Sequence, residues 1–149
     1  MESMFNYAKS FNQPIGNWDV SNVEHMDYMF QGAESFNQPI GDWDVSNVEH
    51  MRFMFSYADS FNQPIDKWDV SNVRDMVLMF GNAVSFDQKL ESWGNKLGND
   101  VIKIGMFANS GICNPISWHP DTNSIASNNR RKGRCQSKIL TQWKHAKDT

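Results

Sequence analysis

From Val23 onward the apolar positions are Val23, Met26, Met29, Phe30 and Ala33, spaced 3, 3, 1 and 3. At about 100° per residue they fill a stripe about 120° wide, opposite Glu24, His25, Asp27, Tyr28, Gln31 and Glu34, which predicts a short amphipathic helix. Ser21-Asn22-Val23-Glu24 stands before it as a capping box and recurs from Ser46 to Glu49, becoming Ser71 to Arg74 in the next copy. The segment Ser35 to Val45 reads differently. Pro39 and Gly41 bracket a bend, and Trp43, Asp44 and Val45 then alternate in, out and in, which predicts a strand of about three or four residues.

This change of period itself repeats. Windows beginning at Met4, Met29 and Met54 are identical at 16 of 25 positions, sharing MF-x-x-A-x-SFNQPI-x-x-WDVSNV-x-x-M. A fourth window, from Met79, keeps Phe80, Ala83, Ser85, Phe86, Gln88 and Trp93 but loses Asp-Val-Ser-Asn-Val, and a fifth runs from Met106 to near Trp118. The Trp column 18, 43, 68, 93, 118 never slips, although Met106 lies 27 residues after Met79. The Trp segment is therefore expected to be the stacked part, with residues 94–105 the place where length varies. Trp143 also falls 25 residues after Trp118, without matching surroundings.

A unit of one strand and one helix cannot bury its apolar face alone, whereas stacked copies can. The predicted fold is thus α/β: a short right-handed solenoid with one short strand and one short helix per 25-residue repeat. Identical residues would stack at ~4.8 Å, making a rod ~20–25 Å long. Phe11/Phe36/Phe61/Phe86, Ile15/Ile40/Ile65/Leu90 and Met26/Met51/Met76 become internal columns. Asn12/Asn37/Asn62 and Asn22/Asn47/Asn72 become ladders whose amides satisfy backbone groups at each bend. The repeat region is 1–118, four to five units with the last two degenerate. Residues 119–149 form a basic tail: a loop over 121–129, then a capping helix carrying Ile139, Leu140, Trp143 and Ala146 with Lys138, Lys144 and Lys147 around them.

Composition now makes sense. Only 4 Leu stand against 16 Asn, 9 Met, 10 Phe and 6 Trp, which excludes a Leu-rich helical bundle but suits a columnar core. The methionines read as gap-filling core residues. Residues 1–120 hold 7 Lys+Arg and 15 Asp+Glu (−8), and residues 121–149 hold 7 and 2 (+5), an acidic body with a basic tail. No apolar run spans a membrane, and the N-terminus carries no signal-peptide pattern. Cys113 and Cys135 lack zinc-ligand spacing, and a single bridge between them stays open. Met1 to Met4 repeats the spacing Met26 to Met29, so the chain is expected to begin within a repeat. Its first unit would expose Phe5, Ala8, Phe11 and Trp18 and offer an end for self-association.

The shared text resembles the BspA-type, leucine-rich-repeat-like surface proteins, including lipoprotein-associated 25-residue repeats of wall-less bacteria. The match is good over residues 1–93, poor over 94–118 and absent beyond. The resemblance implies a leucine-rich-repeat-like α/β solenoid acting in adhesion or protein binding, without enzymatic activity, at a cell surface or outside the cell; no cofactor is expected. Such repeats also occur in large DNA viruses, so a virion is a second expected location.

Candidate chemistry is sparse. Asp19, Asp44 and Asp69 would stack ~5 Å apart, with Asp42 and Asp66 nearby, but each can accept N–H bonds from the following Ser-Asn turn instead of holding calcium. His25 and His50 share one repeat position, and Asp75 in the third copy could complete a His-His-Asp cluster. A solvated helix surface is the preferred reading. No phosphate loop, nucleophile elbow, HExxH or CxxC is present, so no catalytic, cofactor or metal residue is assigned. The positions that differ between copies are the binding candidates: the ridge Tyr28, Phe53 and Leu78 and the neighbouring Tyr7 and Tyr57. Packing of that ridge on its own unit is the equal alternative. Arg130, Arg131, Lys132 and Arg134 make a basic patch, read first as part of a cap and second as an anion anchor, with nucleic acid disfavoured. The expected function is a non-enzymatic interaction or adhesion module whose partner is a host-surface, matrix or assembly protein; the alternative is a component docking into a larger assembly such as a viral capsid.

Overall fold

The computed structural model describes residues 1–135. The capping helix expected around Ile139, Leu140, Trp143 and Ala146 lies outside them. The repeats do stack in register, but the α/β solenoid is overturned: no repeat contains a strand or an α-helix. Among the described residues the regular elements are a 3-10 helix, Glu91–Asn95, and one α-helix, Thr122–Arg131 (α1), beyond the repeats. Strand-like pairing shrinks to isolated parallel bridges, His25 to His50, His50 to Asp75 and Asp75 to Ile102.

The stretch read as a helix is a chain of overlapping turns. The carbonyls of Met26, Tyr28 and Phe30 accept from the N–H groups of Met29, Gln31 and Ala33, three residues on. The intervening N–H groups of Met26, Tyr28, Phe30 and Gly32 leave the unit and donate to His50, Arg52, Met54 and Ser56 of the next layer at 2.8–2.9 Å. An α-helix would need those same donors for its own i−4 carbonyls. Left-handed backbone at Tyr28 (φ 61°) and Gly32 (φ 67°) also breaks any helix, and it supplies the positive φ that a type II turn requires at its third position. The pattern recurs at Phe53, Tyr57, Leu78 and Asn82. Spacings of 3 are common to a turn chain and a helix, which is why the apolar stripe reads as helical. The expected capping box does not form either, because Ser21 N–H and Oγ bond back to Asp19 Oδ1 at 3.0 and 2.6 Å. The expected strand fails because Trp43 and Val48 N–H groups close local turns onto Ile40 and Val45.

Between layers the polar ladders form as the sequence implies. Asn12, Asn37 and Asn62 Oδ1 accept the N–H of Asn37, Asn62 and Asp87, while Gln38, Gln63 and Gln88 Nε2 donate to the same asparagines. Asn47 and Asn72 donate to the Ser21 and Ser46 carbonyls. Inside, the columns are dry: Met26, Phe30, Phe36, Ile40, Met51, Phe55, Phe61, Phe80 and Phe86 are fully buried. Each Trp indole, from Trp43 to Trp118, donates to the carbonyl 28 residues earlier, Ile15, Ile40, Ile65 or Leu90.

The fourth unit tests the length argument. Phe107 stacks on Phe80, 27 residues away, at 5.5 Å, yet Trp118 recovers the 28-residue bond. The two extra residues are therefore absorbed between Trp93 and Met106. Spacing is not a uniform 4.8 Å: stacked rings stand 4.8 Å apart at His25/His50, 5.5–6.0 Å in the Phe columns and 6.3–6.4 Å in the Trp column. In the first layer Phe5 and Phe11 are half-buried, and Met4 and Trp18 are exposed.

Residues 121–129, read as a loop, belong instead to α1 and its N-cap Asp121. The buried face of α1 is Thr122, Ala126 and Asn129, with Ile125 partly buried. Asn129 Nδ2 donates to the Ser110 and Ile112 carbonyls at 2.7 and 2.9 Å. The Thr122 hydroxyl accepts from Ile116 N–H at 2.8 Å and reaches the His119 carbonyl at 2.8 Å. The helix thus covers the last layer with polar groups that terminate its open backbone. Cys113 and Cys135 form a disulfide across this junction.

Candidate functional site

The bridged face carries three adjacent rows. The first is His25, His50, Asp75 and Ile102; two positions on lie Glu2, Asp27, Arg52, Val77 and Ile104; and one further are Ser3, Tyr28, Phe53, Leu78 and Gly105. The first two rows change character along the stack, polar in the early layers and apolar at the far end, where Ile102 and Ile104 are 47% and 75% exposed.

The ridge proposed from sequence exists but does not stand free. Tyr28 and Phe53 stack at 5.1 Å, both are half-buried, and Leu78 covers Gly81 and Gly105 so closely that a Cβ on either would meet Leu78 Cδ2 at 2.9 Å. Tyr7 and Tyr57 are the outward aromatics, 59% and 52% exposed. The ring of Tyr7 lies over Gly32, where a Cβ would stand 2.4 Å from Tyr7 Cδ1. Tyr7, Tyr28, Phe53, Tyr57 and Leu78, the five variable-position candidates, all adopt positive φ, conformations bulky residues seldom take.

The acidic column is used locally. Asp19, Asp44 and Asp69 each bond the serine two residues on. Those serines, hydroxyl first and N–H second, hold all three carboxyls below the ordinary carboxylate range. The basic patch is largely engaged too: Arg130 donates to the Cys113 carbonyl, Arg131 to Asn128, and Arg134 to Ser110 and Asn129, while Lys132 is exposed.

The His25, His50 and Asp75 grouping, set aside from the sequence in favour of a solvated surface, does not assemble. Asp75 is drawn aside, its Oδ2 3.8 Å from Arg52 Nε and its Oδ1 accepting Val77 N–H. Asp27 takes its place: His25, His50 and Asp27 each offer a ligand atom, all within 4.8 Å of one another. Helical spacing sets residues 25 and 27 about 200° apart; the bridged backbone puts their ligand atoms together. That extended geometry at one point of the repeat was the missing signal.

Residues 1–112 match the family model described as "Mycoplasma protein of unknown function, DUF285". This is a class defined by sequence, without an assigned activity. The chain belongs to the DUF285 family. No curated protein matches it, and no solved structure does. Among the described residues no helix is long and apolar enough to cross a membrane.

Proposed function

We propose that this chain is a non-enzymatic protein-binding or adhesion module of the kind found in BspA-type surface proteins, acting at a cell or particle surface. The observation that carries this reading is the placement of Tyr7 and Tyr57, large aromatics more than half exposed, at positions that vary among otherwise near-identical units. Tyrosine offers apolar contact area at small entropic cost and is favoured in interfaces. The stack beneath them fixes their spacing through its interlayer hydrogen bonds.

The test is adhesion of beads coated with the chain to cells or matrix protein. Tyr7→Ser with Tyr57→Ser should abolish adhesion and leave thermal stability unchanged. Tyr28→Ser with Phe53→Ser should lower stability, because that pair is stacked and half-buried. Retained adhesion in the Tyr7/Tyr57 variant overturns the reading. A second reading, a component of a larger assembly, is favoured by Ile102 and Ile104, apolar side chains 47% and 75% exposed at the far end of the bridged face. Sedimentation separates the two: a monomer at high concentration supports the binding module, and obligate oligomers support the assembly role.

A further inference from the structure

We propose that His25, His50 and Asp27 form a binding site for one divalent transition cation, with Zn²⁺ its natural probe. Two imidazoles and one carboxylate are the donor set that such ions take, with water completing the coordination. Their ligand atoms already lie within 4.8 Å of one another. Around a tetrahedral zinc with bonds of ~2.0–2.2 Å, donors stand about 3.3–3.5 Å apart, so small side-chain rotations close the site. His25 is exposed, and His50 and Asp27 are partly exposed, so those rotations meet little packing resistance.

The surroundings define which groups take part. Asp27 Oδ1 accepts Arg52 N–H at 2.7 Å, which holds the carboxylate in place beside the two imidazoles. Arg52 turns its guanidinium toward Asp75 and the Tyr28 hydroxyl. Glu2 Oε1 lies 3.7 Å from His25 Nδ1, placed to orient that imidazole as carboxylates do for metal-bound histidine. The two histidines come from successive layers, held in register by the His25–His50 bridge and parallel at 4.8 Å. A bound ion would therefore clip two repeats together. Calcium and magnesium prefer all-oxygen sites and are not expected to compete.

Titration calorimetry of the full chain with Zn²⁺ should show one ion bound at this site. His25→Gln and His50→Gln should each weaken it by more than about tenfold, and Asp27→Asn, which keeps an acceptor for Arg52 N–H, by about tenfold. Zn²⁺ should raise Tm of the wild type but not of the double histidine variant. In the unmutated chain, zinc should shift the imidazole NMR signals of His25 and His50 and leave buried His119 unmoved, a readout independent of any variant's folding. Absence of zinc binding overturns the proposal, as does equal binding by the double histidine variant. Unchanged affinity in Asp27→Asn overturns the three-ligand site.

Discussion

At the residue scale, the cost of this architecture falls on a few backbone conformations. Left-handed φ at Tyr7, Tyr28, Phe53, Tyr57 and Leu78 is of order 1 kcal/mol unfavourable for each non-glycine. It persists because the interlayer hydrogen bonds on either side determine it. At Gly32 both the positive φ and the Tyr7 ring 2.4 Å from where a Cβ would stand demand glycine. Gly32→Ala should destabilise by more than about 1 kcal/mol in urea denaturation, from the φ alone, and further from the clash with Tyr7. In a double-mutant cycle Tyr7→Ala should recover the steric share but not the conformational one. Full recovery would show that the backbone at residue 32 carries no strain.

At the scale of elements, α1 is a polar lid. Its sequence, TNSIASNNRR, has few strong helix formers, and its buried face is Thr, Ala and Asn. It forms because that face fits the exposed end of the last layer, with Arg130 and Arg131 in the last turn complementing the helix dipole. Asn129→Ala leaves the Ser110 and Ile112 carbonyls without its amide and should cost about 1–3 kcal/mol; a loss under half a kcal/mol would mean those carbonyls find other donors. The disulfide, whose cysteines are 22 positions apart in sequence, should add about 3 kcal/mol by restricting the unfolded chain. An apolar pattern search passes over such a segment, because its burial is driven by hydrogen bonds rather than by area.

For the whole molecule, the serine-bonded carboxylates set the acid response. Asp19, Asp44 and Asp69 have lowered pKa through Ser21, Ser46 and Ser71, and Glu91 has its own lowered through Ser117. A carboxyl depressed in the fold favours folding when ionised. That contribution is complete above the ordinary value of about 4 and is lost as pH falls below it. Asp59, raised by burial and by Glu34, acts in the opposite direction. Stability should therefore fall as pH drops from about 5 to 3. The triple variant Ser21→Ala, Ser46→Ala, Ser71→Ala should flatten this limb in thermal melts; an unchanged limb would place the acid sensitivity elsewhere.

The sequence by itself determined the repeat length, the layer register, the buried columns and the asparagine ladders. Each is a consequence of identical residues recurring every 25 positions, and stacking like upon like needs no knowledge of the backbone path. It also pointed to His25 and His50 as neighbours across layers. What it could not determine was the conformation within a layer. A chain of turns and a helix share the same spacing of apolar residues, and the choice was made by where the N–H groups of Met26, Tyr28, Phe30 and Gly32 find acceptors. Those acceptors sit 24 residues away in the next layer. Only the tertiary structure could therefore exchange Asp75 for Asp27, turn the expected helix and strand into turns, and fold an unpromising polar segment into the lid.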